Sequence, residues 1–77
     1  MEIFIERLKF LRKQKKLTQN QLAEILEITE RTVRSYEIGE NVPSIENFIK
    51  LADYFGVSLD YLTGRSDTPT QTFGGTL

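Results

Sequence analysis

Apolar residues return every three or four positions along most of the chain, and hydroxyl residues and glycines mark the intervals between these stretches. Residues 3–15 carry Phe4, Leu8 and Leu11 at helical spacing, with Ile5 beside them. Phe10 falls on the opposite side of that wheel, as an exposed hydrophobe or as a contact for another element. Thr18 with Gln21 three residues on is a capping-box pattern, and Leu22, Ala23, Ile25 and Leu26 then form the buried stripe of a short second helix. Thr29 is the next N-cap and opens a third helix through Glu37, after which Gly39 suits a left-handed C-terminal position. Pro43 and Ser44 start a fourth helix lined on one face by Ile45, Phe48, Leu51, Ala52 and Phe55, and Gly56 ends it. Ser58 caps a fifth element with Leu59, Tyr61 and Leu62, closed by Gly64.

No strand alternation and no internal repeat accompany this pattern, so the expected fold is all-α with about five helices. From Arg65 the composition turns to Ser, Thr, Pro, Gln and Gly, with Phe73 and Leu77 the only sizeable apolar groups. The expected organisation is one compact domain over residues 1–64 and a flexible tail or linker over 65–77. A chain of 77 residues buries a marginal core, so association with a second copy is expected to help.

Composition narrows the chemistry. Cysteine and histidine are both absent, which removes disulfides, thiolate metal sites, and the commonest general base and transition-metal ligand. Neither a nucleophile–base pair nor a metal cluster is legible, so no enzyme, metal or cofactor is expected. No apolar run approaches a membrane span and none reads as a signal peptide, so a soluble cytoplasmic protein is the expectation.

The net charge of −1 argues against a nucleic-acid partner, but the charges are segregated. Arg7, Lys9, Arg12, Lys13, Lys15 and Lys16 form a basic run without an acid; after Gly39, Lys50 and Arg65 stand against Glu40, Glu46, Asp53, Asp60 and Asp67. Such asymmetry orients a protein on a polyanion. The run is otherwise a solvated helix face, and Lys9, Lys13 and Lys16 are assigned long-range attraction rather than named contacts.

The interval from Leu22 to Val33 is the most informative. Only Glu27 and Ile28 separate the second helix from the cap of the third, which forces a steep crossing of the helix-turn-helix kind. Ala23 is small where close approach is needed, and Ile28 is the expected plug of the turn. On the wheel of the third helix Val33 and Tyr36 point inward with Glu37 near them, while Arg31 and Ser35 point away, flanked by Arg34 and Thr32. Arginine pairs with guanine edges, and hydroxyls serve bases or phosphates. A polar outer face is the rule on any surface helix; the tight turn, Ala23 and the basic run favour DNA contact.

These residues resemble the Cro and phage-repressor type of helix-turn-helix domain, often called Xre-like. The resemblance is carried by RLKFLRKQKKLTQNQLAEIL (7–26), TERTVRSYEIG (29–39), VPSIENFIKLADYFGVS (42–58) and LDYLTG (59–64). It implies a five-helix lambda-repressor-like domain. It also implies that Gln19 contacts a phosphate and braces the recognition helix. Glu30, Arg31 and Ser35 reach base edges, and Arg34 and Thr32 touch adjacent bases or phosphate. The loop from Gly39 to Val42 lies along the DNA backbone, with Asn41 a phosphate contact. Arg12 pairs with Glu37, a structural pair that removal of one partner would disrupt; the opposing reading gives Arg12 a phosphate.

Two positions depart from the family pattern. Glutamate occupies position 27, where glycine is usual in the left-handed turn, at a cost on the order of 1 kcal/mol unless the turn differs. Glu40 replaces a commonly basic residue after Gly39, so one phosphate contact is expected to be missing. Glu30 accepts a hydrogen bond from cytosine or holds Arg31 or Arg34 in place.

The implied function is a sequence-specific, double-stranded-DNA-binding transcriptional regulator, a bacterial or phage repressor on a palindromic operator. One such domain covers few base pairs, so a homodimer is expected. Val57 and Tyr61 are the candidate dimer contacts, with Leu59 and Leu62 completing the monomer core. Two alternatives stay open. One is an antitoxin or restriction-modification controller, with a protein partner on the tail. The other is a protein-interaction module without DNA binding, which Glu30, Glu40 and the acidic balance keep in view.

Overall fold

The computed structural model describes residues 2–69, and among these every regular element is an α-helix. They are α1 (Glu2–Gln14), α2 (Gln19–Leu26), α3 (Glu30–Glu37), α4 (Ile45–Phe55) and α5 (Leu59–Thr63). The starts follow the hydroxyl residues. Thr18, Thr29, Ser44 and Ser58 each sit in extended backbone and accept the N–H of the residue three positions on. Thr18 and Gln21 close the full capping box.

The helix ends share one device. Each helix is followed by a residue with positive φ: Lys16, Glu27, Gly39, Gly56 and Gly64. The next N–H then reaches back five residues, as in Leu17 N to Arg12 O (3.1 Å) and Ile28 N to Ala23 O (2.9 Å). This is the Schellman arrangement, and it satisfies carbonyls that the helix leaves over. Glu27 adopts it in full (φ 61°, ψ 41°), so the turn keeps its left-handed geometry without glycine. Lys16 (φ 59°) is a second non-glycine residue in the same state.

Phe4, Leu8 and Leu11 of α1 are buried against Leu22, Ala23 and Leu26, Val33 and Tyr36, Phe48, Leu51 and Ala52, with Val57 and Leu62 closing the far end. Phe4 lies at the centre, edge-on to Tyr36 (6.4 Å) and Phe48 (5.0 Å). Ala23 is 1% exposed between closely packed α2 and α3, where a larger side chain would separate the two helices. Ile28 is half-buried against this core, and Phe10 faces out.

Several expectations need correction. Ile25 and Ile45 are not in the buried stripes but largely exposed (43% and 68%). Ile25 lies off the Leu22–Leu26 line, and Ile45 opens α4 beyond its packed turns. Val57 is 5% exposed and belongs to the core, not to the exposed surface on which a dimer contact was expected. The left-handed Gly56 folds it back, with its N–H on Ala52 O at 3.0 Å. Tyr61 is half-buried, and the Arg7 guanidinium lies over its ring at 4.1 Å, so that face is occupied within the domain.

The body also continues past Gly64. Arg7 donates to the carbonyls of Tyr61 and Ser66 and pairs with Asp67 (2.8 Å), while Ser58 N donates to Pro69 O at 3.0 Å. Residues 65–69 are thus tied to α1 and α5 rather than loose. Phe73, Leu77 and the expected protein contact of the tail lie outside the described residues. No helix among the described residues is long and apolar enough to cross a membrane.

Candidate nucleic-acid interface

The orientation of α3 is set by a polar knot behind it. Glu37, 5% exposed, receives Arg12 Nε on one carboxylate oxygen (2.6 Å) and Arg12 Nη2 (3.1 Å) and Gln19 Nε2 (3.0 Å) on the other. Arg12 Nη1 also donates to Leu17 O at 2.7 Å. One carboxylate therefore joins the end of α3 to α1, to the α1–α2 turn and to the first residue of α2. The pair is bidentate and fully hydrogen-bonded, which is how a charge is tolerated at such depth. Three of the five Arg12 N–H donors are spent within the domain, and its side chain is only 13% exposed.

At the other end of α3, Thr29 caps the helix through Thr32 N (3.1 Å), and the two threonine hydroxyls are bonded at 2.8 Å. Glu30, Arg31 and Arg34 project from the exposed side. Glu30 and Arg34 are one turn apart with a carboxylate–guanidinium distance of 3.9 Å, both about half exposed (46% and 58%). Arg31 makes no hydrogen bond or ion pair with any described residue, so its five N–H donors are available.

Ser35 is different. The expectation placed it beside Arg31 on the outward face, but it is 6% exposed, and its hydroxyl donates to Thr32 O at 2.7 Å. Its main-chain carbonyl is also engaged: Glu40 N and Asn41 N both donate to Ser35 O, at 2.9 and 3.3 Å. A serine on a helix readily turns its hydroxyl to the preceding turn, as Ser35 does here. The outward line instead runs from Arg31 and Arg34 to Ile38, which is 60% exposed. Ile38 was missed, although its spacing of four from Arg34 and seven from Arg31 carried the signal.

Asn41 is exposed in the α3–α4 connection, its backbone pinned to the end of α3. Gln19 uses one amide hydrogen on Glu37 and retains a second donor. Half of the basic run is used within the domain. Arg7 and Arg12 hold the fold together, and Lys15 Nζ lies over the Tyr54 ring at 5.2 Å. Lys9, Lys13 and Lys16 make no ion pair with a described residue. Among the described residues no cluster of acidic, histidine or cysteine side chains is arranged to hold a metal.

This arrangement of helices matches known proteins. The helix-turn-helix family profile matches residues 8–62. The chain is 45% identical over 60 residues to the HTH-type transcriptional regulator YqaE of Bacillus subtilis, covering 78% of this chain and 52% of that one. It is 42% identical over 60 residues to the cryptic phage CTXphi transcriptional repressor RstR of Vibrio cholerae, covering 78% and 54%. A crystal structure of a transcriptional regulator from Listeria innocua superposes with a TM-score of 0.77 at 39% identity, covering 92% of this chain and 64% of that one. The chain spans about half the length of the two sequence relatives. With the profile spanning α1 to α5 and the short turn between α2 and α3 in place, the chain belongs to the Xre-like helix-turn-helix family.

Proposed function

We propose that this chain is a sequence-specific double-stranded-DNA-binding regulator of transcription. It acts in the cytoplasm as a repressor that occupies a palindromic operator in two copies. The observation that carries the reading is Arg31: an unpaired arginine on the exposed face of a short helix whose other face is locked by Glu37. A helix of this diameter enters the major groove, where arginine bonds the O6 and N7 of guanine. Arg34 stands one turn on, with Glu30 holding it or accepting from a cytosine amino group. Gln19, Thr32 and Asn41 flank that face and supply phosphate contacts. Ser35 has no place among the base readers, because its hydroxyl is turned into the helix. The likeness to a phage repressor supports the repressing direction. Negative charge on Glu30 and Glu40 weakens attraction to arbitrary DNA, so binding depends more on matched base contacts.

The test is selection of bound sequences from a random duplex pool, followed by titration of the selected site at two salt concentrations. A palindromic consensus and an affinity that falls steeply with salt are expected. No enrichment, or a flat salt response, overturns the proposal in favour of a protein-interaction module.

A further inference from the structure

The outer face of α4 carries two exposed isoleucines among its charged residues. Ile45 and Ile49, one turn apart, are 68% and 44% exposed, and Val42 just before the helix is 57% exposed. Three of the seven large exposed hydrophobic residues of the described chain thus fall between positions 42 and 49, apart from Ile38 on the outward line of α3. Scattered exposed aliphatics need no explanation, but a run of them along one helix and the connection leading into it does.

Two charges flank this stripe. Glu46 and Lys50 are also one turn apart, the spacing at which helical side chains ordinarily pair, yet no ion pair joins them. Opposite charges at this spacing, beside two isoleucines at the same spacing, form a self-complementary pattern. When two copies of α4 lie antiparallel across a two-fold axis near residues 47 and 48, Ile45 of each copy meets Ile49 of the other. Glu46 of each copy then meets Lys50 of the other. An isologous interface has this property by symmetry: if position i faces j, then j faces i.

We infer that the Ile45–Ile49 face of α4, flanked by Glu46 and Lys50, is the surface through which two copies of this chain associate. The inference rests on the dimeric reading above and supplies the surface that Val57 and Tyr61 do not. A patch of a few aliphatic side chains is smaller than the roughly 800 Å² per partner of a stable interface, so the free pair is weak and DNA with two half-sites completes it.

The experiment measures the monomer–dimer equilibrium of the 77-residue chain by sedimentation, without DNA, from micromolar to millimolar concentration. Ile49→Glu, Glu46→Lys and Lys50→Glu are each expected to weaken association by about tenfold or more, and the double swap Glu46→Lys with Lys50→Glu to restore it. The three side chains substituted lie outside the core, and circular dichroism melting verifies that each variant is folded. Binding to a duplex carrying a single half-site is read in parallel and is expected to be unchanged by Ile49→Glu. If Ile49→Glu associates as tightly as the parent, the surface is wrong. A parent that stays monomeric at every concentration and binds paired half-sites without cooperativity also overturns it. If the variants weaken association but the parent binds no DNA, the regulatory reading fails and the surface stands.

Discussion

The side-chain amide of Gln19 is hydrogen-bonded to the carboxylate of Glu37 at 3.0 Å, across eighteen positions of sequence. The first residue of α2 thereby holds the last residue of α3, and Arg12 holds the same carboxylate from α1. The start of α2 is thereby coupled to the end of α3 through a single buried group. Gln19 retains a second amide N–H while the first keeps α3 in register.

Glu37→Ala leaves the Arg12 guanidinium buried beside a void, and Arg12→Ala leaves the carboxylate of Glu37 unpaired. Each is expected to lose about 3–5 kcal/mol in urea denaturation. A domain of this size has only about 4–11 kcal/mol in total. Both variants should therefore lose a large share of the domain's stability; a loss below about 1 kcal/mol would mean the knot is solvated in solution.

Glu27→Gly and Lys16→Gly relieve the left-handed strain of the two non-glycine helix terminators. The relief of about 1 kcal/mol is partly offset by the larger freedom of glycine in the unfolded chain. Each variant should melt a few degrees higher by calorimetry, since about 1 kcal/mol corresponds to roughly 4–8 °C here. A lower melting temperature would show that the side chain of Glu27 or Lys16 contributes more than its backbone costs.

Arg31→Ala and Ser35→Ala separate the exposed from the buried side of α3. Arg31→Ala should keep its melting temperature and lose about 1–3 kcal/mol of discrimination at one or two base positions. Ser35→Ala should change stability by no more than about 1 kcal/mol and leave the base preference unchanged, because its hydroxyl already bonds Thr32 O. A shifted preference in Ser35→Ala would place its hydroxyl in the groove after all.

Arg7→Met removes the guanidinium from Tyr61, Ser66 and Asp67 while keeping much of its apolar stem. The expected loss is about 1–2 kcal/mol, with faster hydrogen exchange at the amides of Ser58 and Ser66, whose acceptors are Pro69 O and Asp60 O. The salt dependence of DNA binding should be unaltered. A reduced slope would assign Arg7 to a phosphate instead.

The helices and their limits were legible in the chain because their signals are local. Thr18, Thr29, Ser44 and Ser58 act on an N–H three residues away, Gly56 and Gly64 on carbonyls within the same helix, and the Phe4–Leu8–Leu11 spacing is a property of one element. The exposed position of Arg31 on α3 follows from the same periodicity. Ser35 shows where periodicity stops. The wheel gives a direction, but the Ser35 hydroxyl turns back onto Thr32 O and the residue is 6% exposed. Short hydroxyl side chains are the most vulnerable to this, since they can bond the preceding turn of their own helix instead of reaching outward as an arginine does.

The uses of the basic residues were decided only in three dimensions. Arg7 and Arg12 read alike in sequence as members of one cationic run with Lys9 and Lys13. Folding brings the chain from 54 residues further on to Arg7, and brings a carboxylate from 25 residues further on to Arg12, while Lys9 and Lys13 find no acid. Val57 was likewise withdrawn from the surface by a turn at Gly56 whose direction depends on the packing of α4. Sequence by itself determined where the helices begin and end, because caps and periodicity act within one turn of chain. Tertiary structure decided which charged and polar side chains remain free to meet a partner, because that depends on which distant atoms arrive to satisfy them first.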